Sequence, residues 1–191
     1  MKINLIPPER QNRPSTRKVE YITVHETDNT NKGANAAAHA SYLATTNDKI
    51  SWHYSVDDKG VIQHVPDGEI AWHSGTTRGN EISIGIEICV NSDGDFEASL
   101  RNAASLVREL LKTHNLTIDK VVQHNYWNGK NCPKTLRQSG RWEEFLSMIE
   151  GKEEPRKESL YFYKDGMHFV YILIDKFIIL LLDIPNKSVA I

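Results

Sequence analysis

The chain has 191 residues, of which 39% are hydrophobic and 25% are charged, and its formal net charge is −2 at pH 7. This length allows one well-buried domain with a short appendage, and the composition is ordinary for a soluble globular protein. The charge argues against a nucleic acid partner, which calls for a strongly basic face. The chain's 2 cysteines are too few for a disulfide framework, so stability depends on a core or a metal.

The N-terminal stretch "MKINLIPPERQN" contains one lysine but no apolar run long enough for a signal peptide. We therefore expect synthesis in the cytoplasm, and release by another route if the substrate lies outside the cell. No feature of the sequence indicates a higher oligomer, so we expect a monomer.

Strand-like and helix-like segments alternate over residues 1–150. The spacing of apolar residues predicts strands at 21–26, 51–57, 61–65 and 82–90 and helices at 34–45, 98–113 and 140–150. The turn signal Asp58-Lys59-Gly60 joins two of these strands in a hairpin. Helices interleaved with strands predict an α/β domain with one layered sheet.

The composition changes after residue 150. "GKEEPRKES" (151–159) is charged and contains a proline, which predicts a linker. The apolar tail, residues 160–191, has three open interpretations: a degraded or frame-shifted remnant, a small sheet or helix packed on the domain, or an interfacial anchor. A membrane span is not expected, because a span needs about 20 apolar residues and the uncharged run here is only Phe177–Leu182.

Two of the predicted strands carry a titratable side chain on the face opposite their apolar residues. In "ISIGIEICV" (82–90) the isoleucines share one face, and Glu87 and Cys89 lie on the other. In "YITVHE" (21–26), His25 lies opposite the face of the aliphatic residues. His25 and Glu87 therefore suggest a shared site, although a single strand histidine is more often a packed residue. Cys89 is better explained as a small buried hydrophobe than as a metal ligand.

The segment "QHNYWNGKNCP" (123–133) places His124 eight residues before Cys132, with Lys130 between them. Imidazole and thiolate are ligands that zinc prefers, and a catalytic zinc site uses three protein ligands and leaves one position open. The spacing alone is also compatible with a surface loop that carries an unreactive thiol.

A larger pattern favours the first interpretation. The motifs that occur in order are "YITVHET", "SWHYSVDDKGVIQHVP", "AWHSG", "SIGIEICVNSDGDF" and "VVQHNYWNGKNCP". Together they resemble the type-2 N-acetylmuramoyl-L-alanine amidases, a peptidoglycan-cleaving family that includes phage and prophage endolysins and is related to peptidoglycan recognition proteins. The resemblance covers roughly residues 18–150. It implies an α/β fold with a single mixed β-sheet flanked by helices, as in those recognition proteins.

The resemblance also implies a set of site residues. One Zn²⁺ ion would be held by His25, His124 and Cys132, with Glu87 as the catalytic carboxylate and Lys130 as the catalytic cation. The implied reaction is cleavage of the amide bond between the lactyl group of N-acetylmuramic acid and L-alanine. Glu87 would act as general base on water, and Lys130 would stabilise the oxyanion.

Further residues are candidates for contacts with peptidoglycan, the expected partner. His53 is either a substrate contact or a packed histidine, and Trp72 and His73 of "AWHSG" either line the cleft or anchor a loop. Arg78, in the loop "GTTRGNE" (75–81), is suited to carboxylates of the stem peptide.

Two alternative functions stay open. A non-catalytic peptidoglycan-binding module is less favoured, because related modules lack a metal ligand that this chain retains. A cytoplasmic amidase that recycles wall fragments is compatible with the absence of a signal peptide, but the resemblance to phage amidases favours lysis of intact wall.

Overall fold

The computed structural model describes residues 1–8, 10, 13 and 17–152, together with the backbone of residues 158–164, 167–174 and 177–182. The chain divides into two compact units, Met1–Gly151 and Lys152–Ile191. Residues 153–157 of the predicted linker lie outside the described residues, as do residues 183–191 of the predicted tail. The division into catalytic domain, linker and tail therefore stays a prediction.

The first unit alternates strands and helices, as the sequence predicts. Its strands are β1 (Lys2–Ile3), β2 (Tyr21–Glu26), β3 (Tyr54–Asp57), β4 (Gly60–Gln63), β5 (Ser83–Ile88) and β6 (Val121–Gln123). Its helices are α1 (Ala36–Thr45), α2 (Thr77–Ile82), α3 (Phe96–Thr113), α4 (Asn125–Asn128), α5 (Lys134–Gln138) and α6 (Trp142–Glu150), and Ile118–Lys120 forms one 3₁₀ turn.

The strands form one mixed sheet in the order β1-β4-β3-β5-β2-β6. Only β3 and β4 pair antiparallel, and they form the predicted hairpin. Asp57 closes this turn, because its Oδ1 accepts hydrogen bonds from the amides of Lys59 (2.8 Å) and Gly60 (3.0 Å). Strands β5, β2 and β6 are parallel neighbours, so their carboxyl ends meet at one edge of the sheet.

The core lies on the isoleucine face of β5. Ile84, Ile86 and Ile88 are fully buried there, beside the aliphatic residues of β2. Helices α3 and α6 cover this face with residues such as Leu100 and Phe145. Each fully buried isoleucine contributes about 2 kcal/mol of hydrophobic stabilisation. A second cluster packs Leu43 of α1 with Trp52 and Val65.

Several predicted boundaries were wrong in detail. Ile82 ends α2 and does not begin the strand, which starts at Ser83. The segment that the sequence suggested was a loop forms α2, because the Thr76 side chain accepts a hydrogen bond from the Gly79 amide (3.1 Å) and caps the helix. The short elements β1, β6, α4 and α5 lack the length that apolar periodicity needs to be recognised.

In the second unit, the described backbone forms three strands, β7 (Glu158–Lys164), β8 (Met167–Ile174) and β9 (Phe177–Leu182). They pair antiparallel in the order β7-β8-β9. This backbone is a small sheet, while the interpretation that the tail packs on the domain stays a prediction. Over the described part of the chain, no helix combines the length and apolar character that crossing a membrane requires.

Candidate metal centre

A cleft of about 450 Å³ in the first unit contains most of the residues predicted to carry chemistry. The predicted residues that line it are His25, Trp72, His73, Glu87, His124, Lys130 and Cys132. His25 and Cys132 are 107 positions apart in the sequence, so it is the fold that brings these residues together.

The parallel strands place three of these side chains at the same edge of the sheet. His25 on β2 lies opposite Glu87 on β5 in the strand register. His124 follows β6 directly, and its amide donates to the carbonyl of Val24 (3.2 Å). The non-core face predicted for His25 and Glu87 is therefore one wall of the cleft.

His25, His124 and Cys132 form a compact group of possible metal ligands. One ligand atom from each lies within 4.8 Å of the others, and all three residues are buried. The Nδ1 atoms of the two histidines are 3.0 Å apart, and Cys132 Sγ lies 3.9 Å from His25 Nδ1. Donor atoms of one tetrahedral zinc ion lie roughly 3.3–3.6 Å from each other, given Zn–N and Zn–S bonds of about 2.0–2.1 and 2.3 Å. The distances from His25 Nδ1 to His124 Nδ1 and to Cys132 Sγ each match that spacing to within a few tenths of an ångström.

Hydrogen bonds determine which nitrogen of His25 carries the proton. His73 Nε2 lies 3.1 Å from the carbonyl oxygen of Ser83, which can only accept, so this nitrogen donates. The other nitrogen of His73, Nδ1, is then an acceptor, and it lies 3.0 Å from His25 Nε2. His25 therefore donates through Nε2, and its Nδ1 keeps a free lone pair.

The same reasoning applies to His124. Its Nε2 lies 3.0 Å from the carbonyl oxygen of Ser74, which can only accept, and 3.1 Å from the amide nitrogen Nδ2 of Asn128. Asn128 Nδ2 donates to the same Ser74 oxygen (3.1 Å), so Nε2 also donates to it and Nδ1 again keeps its lone pair. Two bare Nδ1 atoms thus face each other at 3.0 Å beside a sulfur atom. Lone pairs at this distance repel unless a cation lies between them. The donor set fits a zinc ion, because imidazole and thiolate are its preferred ligands.

Burial sets the protonation of these groups. It lowers the pKa of His25 well below the usual range, with smaller contributions from His73 and His124, and it also lowers the pKa of His124. Both imidazoles are therefore neutral, which is the form that binds a metal. Burial raises the pKa of the Cys132 thiol to about 12, and Glu87 adds to the rise. A thiolate at this position needs a cation within bonding distance to persist at neutral pH.

Glu87 and Lys130 complete the group. Glu87 Oε1 lies 3.8 Å from His25 Nδ1, and Oε2 is buried without a hydrogen-bond partner among the described residues. Burial raises the pKa of Glu87 to about 8, while the positive charge of Lys130 opposes the rise. Lys130 itself is exposed and lines the cleft. In the metal-free site the Glu87 carboxyl is therefore largely protonated at neutral pH, and the Lys130 cation favours its ionised form.

The other predicted contacts divide into two groups. Trp72 lines the cleft and is half-buried. His73 also lines it, but both of its ring nitrogens are engaged within the protein, so it supports His25 and has no nitrogen left for a substrate. His53 is fully buried and is not part of the cleft lining; its Nδ1 accepts from the Gly85 amide (2.9 Å). Arg78 is exposed on α2, outside that lining.

Two features of the site had no clear signal in the sequence. The carbonyls that fix the histidine tautomers belong to Ser74 and Ser83, whose identities do not predict this use. Glu26, next to His25, is buried and bonds to α5. Cys89 is buried outside the ligand group, as expected for a packed cysteine, and burial raises its pKa.

Comparison with known proteins shows which family and which relatives this chain is similar to. A family model described as N-acetylmuramoyl-L-alanine amidase matches residues 15–135. Among Bacillus subtilis (strain 168) proteins, the amidase CwlH is 44% identical over 163 residues, covering 83% of this chain and 64% of CwlH. The amidase XlyA is 46% identical over 151 residues, covering 78% of this chain and 50% of XlyA. The chain thus spans about half to two thirds of the length of these relatives.

A solved structure supports the same relationship. The structure of the catalytic domain of XlyA superposes with a TM-score of 0.74 at 45% identity, covering 78% of this chain and 97% of that domain. The expected fold, a mixed sheet flanked by helices as in the endolysin amidases and peptidoglycan recognition proteins, is therefore confirmed.

Proposed function

The chain belongs to the N-acetylmuramoyl-L-alanine amidase family, and on this premise we propose that it is a zinc-dependent peptidoglycan hydrolase. The bond it cleaves joins the lactyl group of N-acetylmuramic acid to L-alanine of the stem peptide. The observation that carries the proposal is the convergence of two bare imidazole nitrogens and a thiol beside a partly buried carboxylate. His25, His124 and Cys132 would hold one zinc ion.

When bound, zinc supplies Lewis acidity, which polarises carbonyl groups and makes water more acidic. The protein's contribution begins with the orientation of its ligands. The bonds to His73 and to the Ser74 carbonyl keep both Nδ1 atoms unprotonated before any metal arrives. Hydrogen bonds of this kind also fix the ring planes, so little reorganisation accompanies metal binding.

Glu87 is the proposed general base. Its Oε2 is buried within the site and free of protein partners among the described residues. The charge of Lys130 favours the ionised carboxylate, and a bound cation would favour it further, so that Oε2 can accept a proton from the attacking water. The same atom then delivers the proton to the leaving nitrogen of L-alanine. General acid–base catalysis of this kind contributes about 10²- to 10⁴-fold in rate.

Lys130 is the proposed electrostatic stabiliser. Its positive charge lowers the pKa of Glu87 and the pKa of His25. The electrostatic field of Lys130 therefore reaches the centre of the cleft. Negative charge develops on the carbonyl oxygen as water attacks, and a fixed cation lowers the energy of that state more than the energy of the neutral amide. The exposed side chain can approach this oxygen from the solvent side of the cleft.

The proposed substrate is intact peptidoglycan, cleaved by residues 1–150 after release of the protein from the cytoplasm as a monomer. Product analysis on purified Bacillus-type cell walls tests the reaction. We expect new N-terminal alanine, no new reducing sugar, loss of activity with a chelator and recovery with zinc. Reducing sugar in its place would mean a glycosidase, and wall binding without product would mean a binding module.

A carboxamide variant separates chemistry from metal binding. Glu87→Gln keeps the shape of the side chain but cannot accept the proton, so we expect a loss of about 10²- to 10⁴-fold in rate with zinc retained. Glu109→Gln, at an exposed position on α3, is the matched control and should behave as wild type. Full activity in Glu87→Gln would rule out Glu87 as the general base.

A further inference from the structure

Glu26 follows the proposed ligand His25 directly and takes no part in the reaction described above. Its side chain is 5% exposed, and both carboxylate oxygens accept hydrogen bonds from backbone amides. Oε2 accepts from the amide of Thr135 (2.7 Å), and Oε1 accepts from the amide of Leu136 (3.0 Å). Amide bonds to an ionised carboxylate are stronger than bonds between neutral groups.

The two amides lie in the first turn of α5, which has no cap of its own. The first amides of a helix have no partner within the helix, and a side chain at the preceding residue usually supplies one. Here that residue is Pro133, which makes no side-chain capping bond. Glu26 supplies the cap from 109 positions away.

Cys132 lies two residues before α5, and its own backbone makes a further hydrogen bond to the segment that follows His124. Its carbonyl oxygen accepts a hydrogen bond from the amide of Asn125 (3.1 Å), the residue that follows His124. Its Sγ lies 3.9 Å from the backbone oxygen of Glu26. The residue after each proposed histidine ligand therefore bonds to the segment that carries the third ligand.

We propose that Glu26 is a positioning residue for the metal centre: it holds the Cys132 segment so that Sγ converges with the two Nδ1 atoms. The inference rests on the metal assignment of the proposed function, but not on the substrate. Burial of Leu136 in the core fixes α5 against the sheet. An apolar contact leaves the direction of the first turn free, whereas two hydrogen bonds to one carboxylate fix it.

The test compares Glu26→Ala and Glu26→Gln with wild type and with the control Glu109→Gln. Zinc affinity is measured by competition with a chromophoric chelator, and the thiolate-to-metal absorption is recorded after Co²⁺ substitution. Alanine removes both acceptors, so we expect zinc affinity to fall about 10- to 100-fold and the thiolate band to weaken or shift. Glutamine keeps one acceptor, so we expect about a tenfold loss, at the lower end of that range. The control should match wild type in both measurements.

Wild-type zinc affinity and an unchanged thiolate band in Glu26→Ala would overturn the proposal and leave Glu26 as a helix cap alone. If Glu26→Ala does not fold, Glu26→Gln, which preserves the side-chain volume, decides the question by the same two measurements. If wild-type protein binds no zinc, the metal assignment fails, and with it the proposed function. A zinc-binding wild type with unaffected Glu26 variants contradicts only the inference about Glu26.

Discussion

Removal of His73 Nδ1, which accepts a hydrogen bond from His25, should weaken metal binding without removing any proposed ligand. His73→Phe keeps an aromatic ring of similar size against the backbone of Gly85, but it takes away the Nδ1 that lies 3.0 Å from His25 Nε2. His25 is 1% exposed, so no water replaces the lost acceptor. Its proton then moves to Nδ1, where it can donate to His124 Nδ1 at 3.0 Å. That tautomer must be reversed before a metal binds.

The magnitude follows from the cost of a buried donor without a partner, which is about 1–3 kcal/mol. Since about 1.4 kcal/mol corresponds to a factor of ten, the expected loss of zinc affinity is roughly 5- to 150-fold. His73→Asn is the matched variant, because its Oδ1 stands near the position of the lost Nδ1 and can accept the same proton. We expect it to recover most of the affinity.

The assay is zinc competition with a chromophoric chelator at neutral pH, together with urea unfolding of the metal-free proteins. The unfolding curves show whether a variant is merely less stable. Zinc affinity in His73→Phe equal to that of wild type would refute the assignment of the proton to Nε2 of His25. Equal losses in His73→Phe and His73→Asn would show that packing, and not the acceptor, is what the site requires.

Three further outcomes are expected. Lys130→Ala should reduce the rate on cell walls by about 10²- to 10³-fold with zinc affinity changed little, and an equal loss of zinc would contradict the electrostatic role. Gly85→Ala should lower zinc content and activity, because a Cβ there would lie 2.6 Å from His73 Cγ, whereas Gly68→Ala meets no atom within 4 Å and should behave as wild type. Burial lowers the pKa of His64 to about 4 from 6.5, so between these values the unfolded chain binds more protons than the folded one and the free energy of unfolding falls as pH decreases. His64→Gln removes this contribution, so the difference in its free energy of unfolding between pH 7 and pH 4.5, measured with urea, should be about 2–3 kcal/mol smaller than in wild type. The same difference in wild type and variant would contradict this expectation.

The long elements and their faces could be predicted because their signals are local. The isoleucines of β5 alternate with polar residues, and this period places Glu87 and His25 on the face away from the core. The apolar residues of α3 recur at helical spacing over 18 residues, so its presence was clear and its start was missed by only two positions. Signals of this strength depend only on neighbours along the chain.

The arrangement around the ligands could not be predicted, because backbone atoms make it. Any residue at positions 74 and 83 presents a carbonyl oxygen, so the bonds that orient His124 and His73 leave no mark in the sequence. The cap on α5 joins residues more than 100 positions apart, and in the sequence Glu26 is an ordinary carboxylate at the end of a strand. His53 had two interpretations for the same reason: only the fold shows that its ring is buried beside Gly85.

These hydrogen bonds also explain how a buried site can be prepared for a cation before the cation binds. An isolated pair of histidines at 3.0 Å would share a proton between the Nδ1 atoms, and the thiol would stay protonated because burial raises its pKa to about 12. Ser74 and Ser83 carbonyls, the latter through His73, draw the imidazole protons to the opposite nitrogens. The lone pairs that remain repel each other, and the buried core of the sheet supplies the stability that holds them together. Neither imidazole would then lose a proton when a metal binds, so part of the cost of forming the site is met by folding and not by the metal.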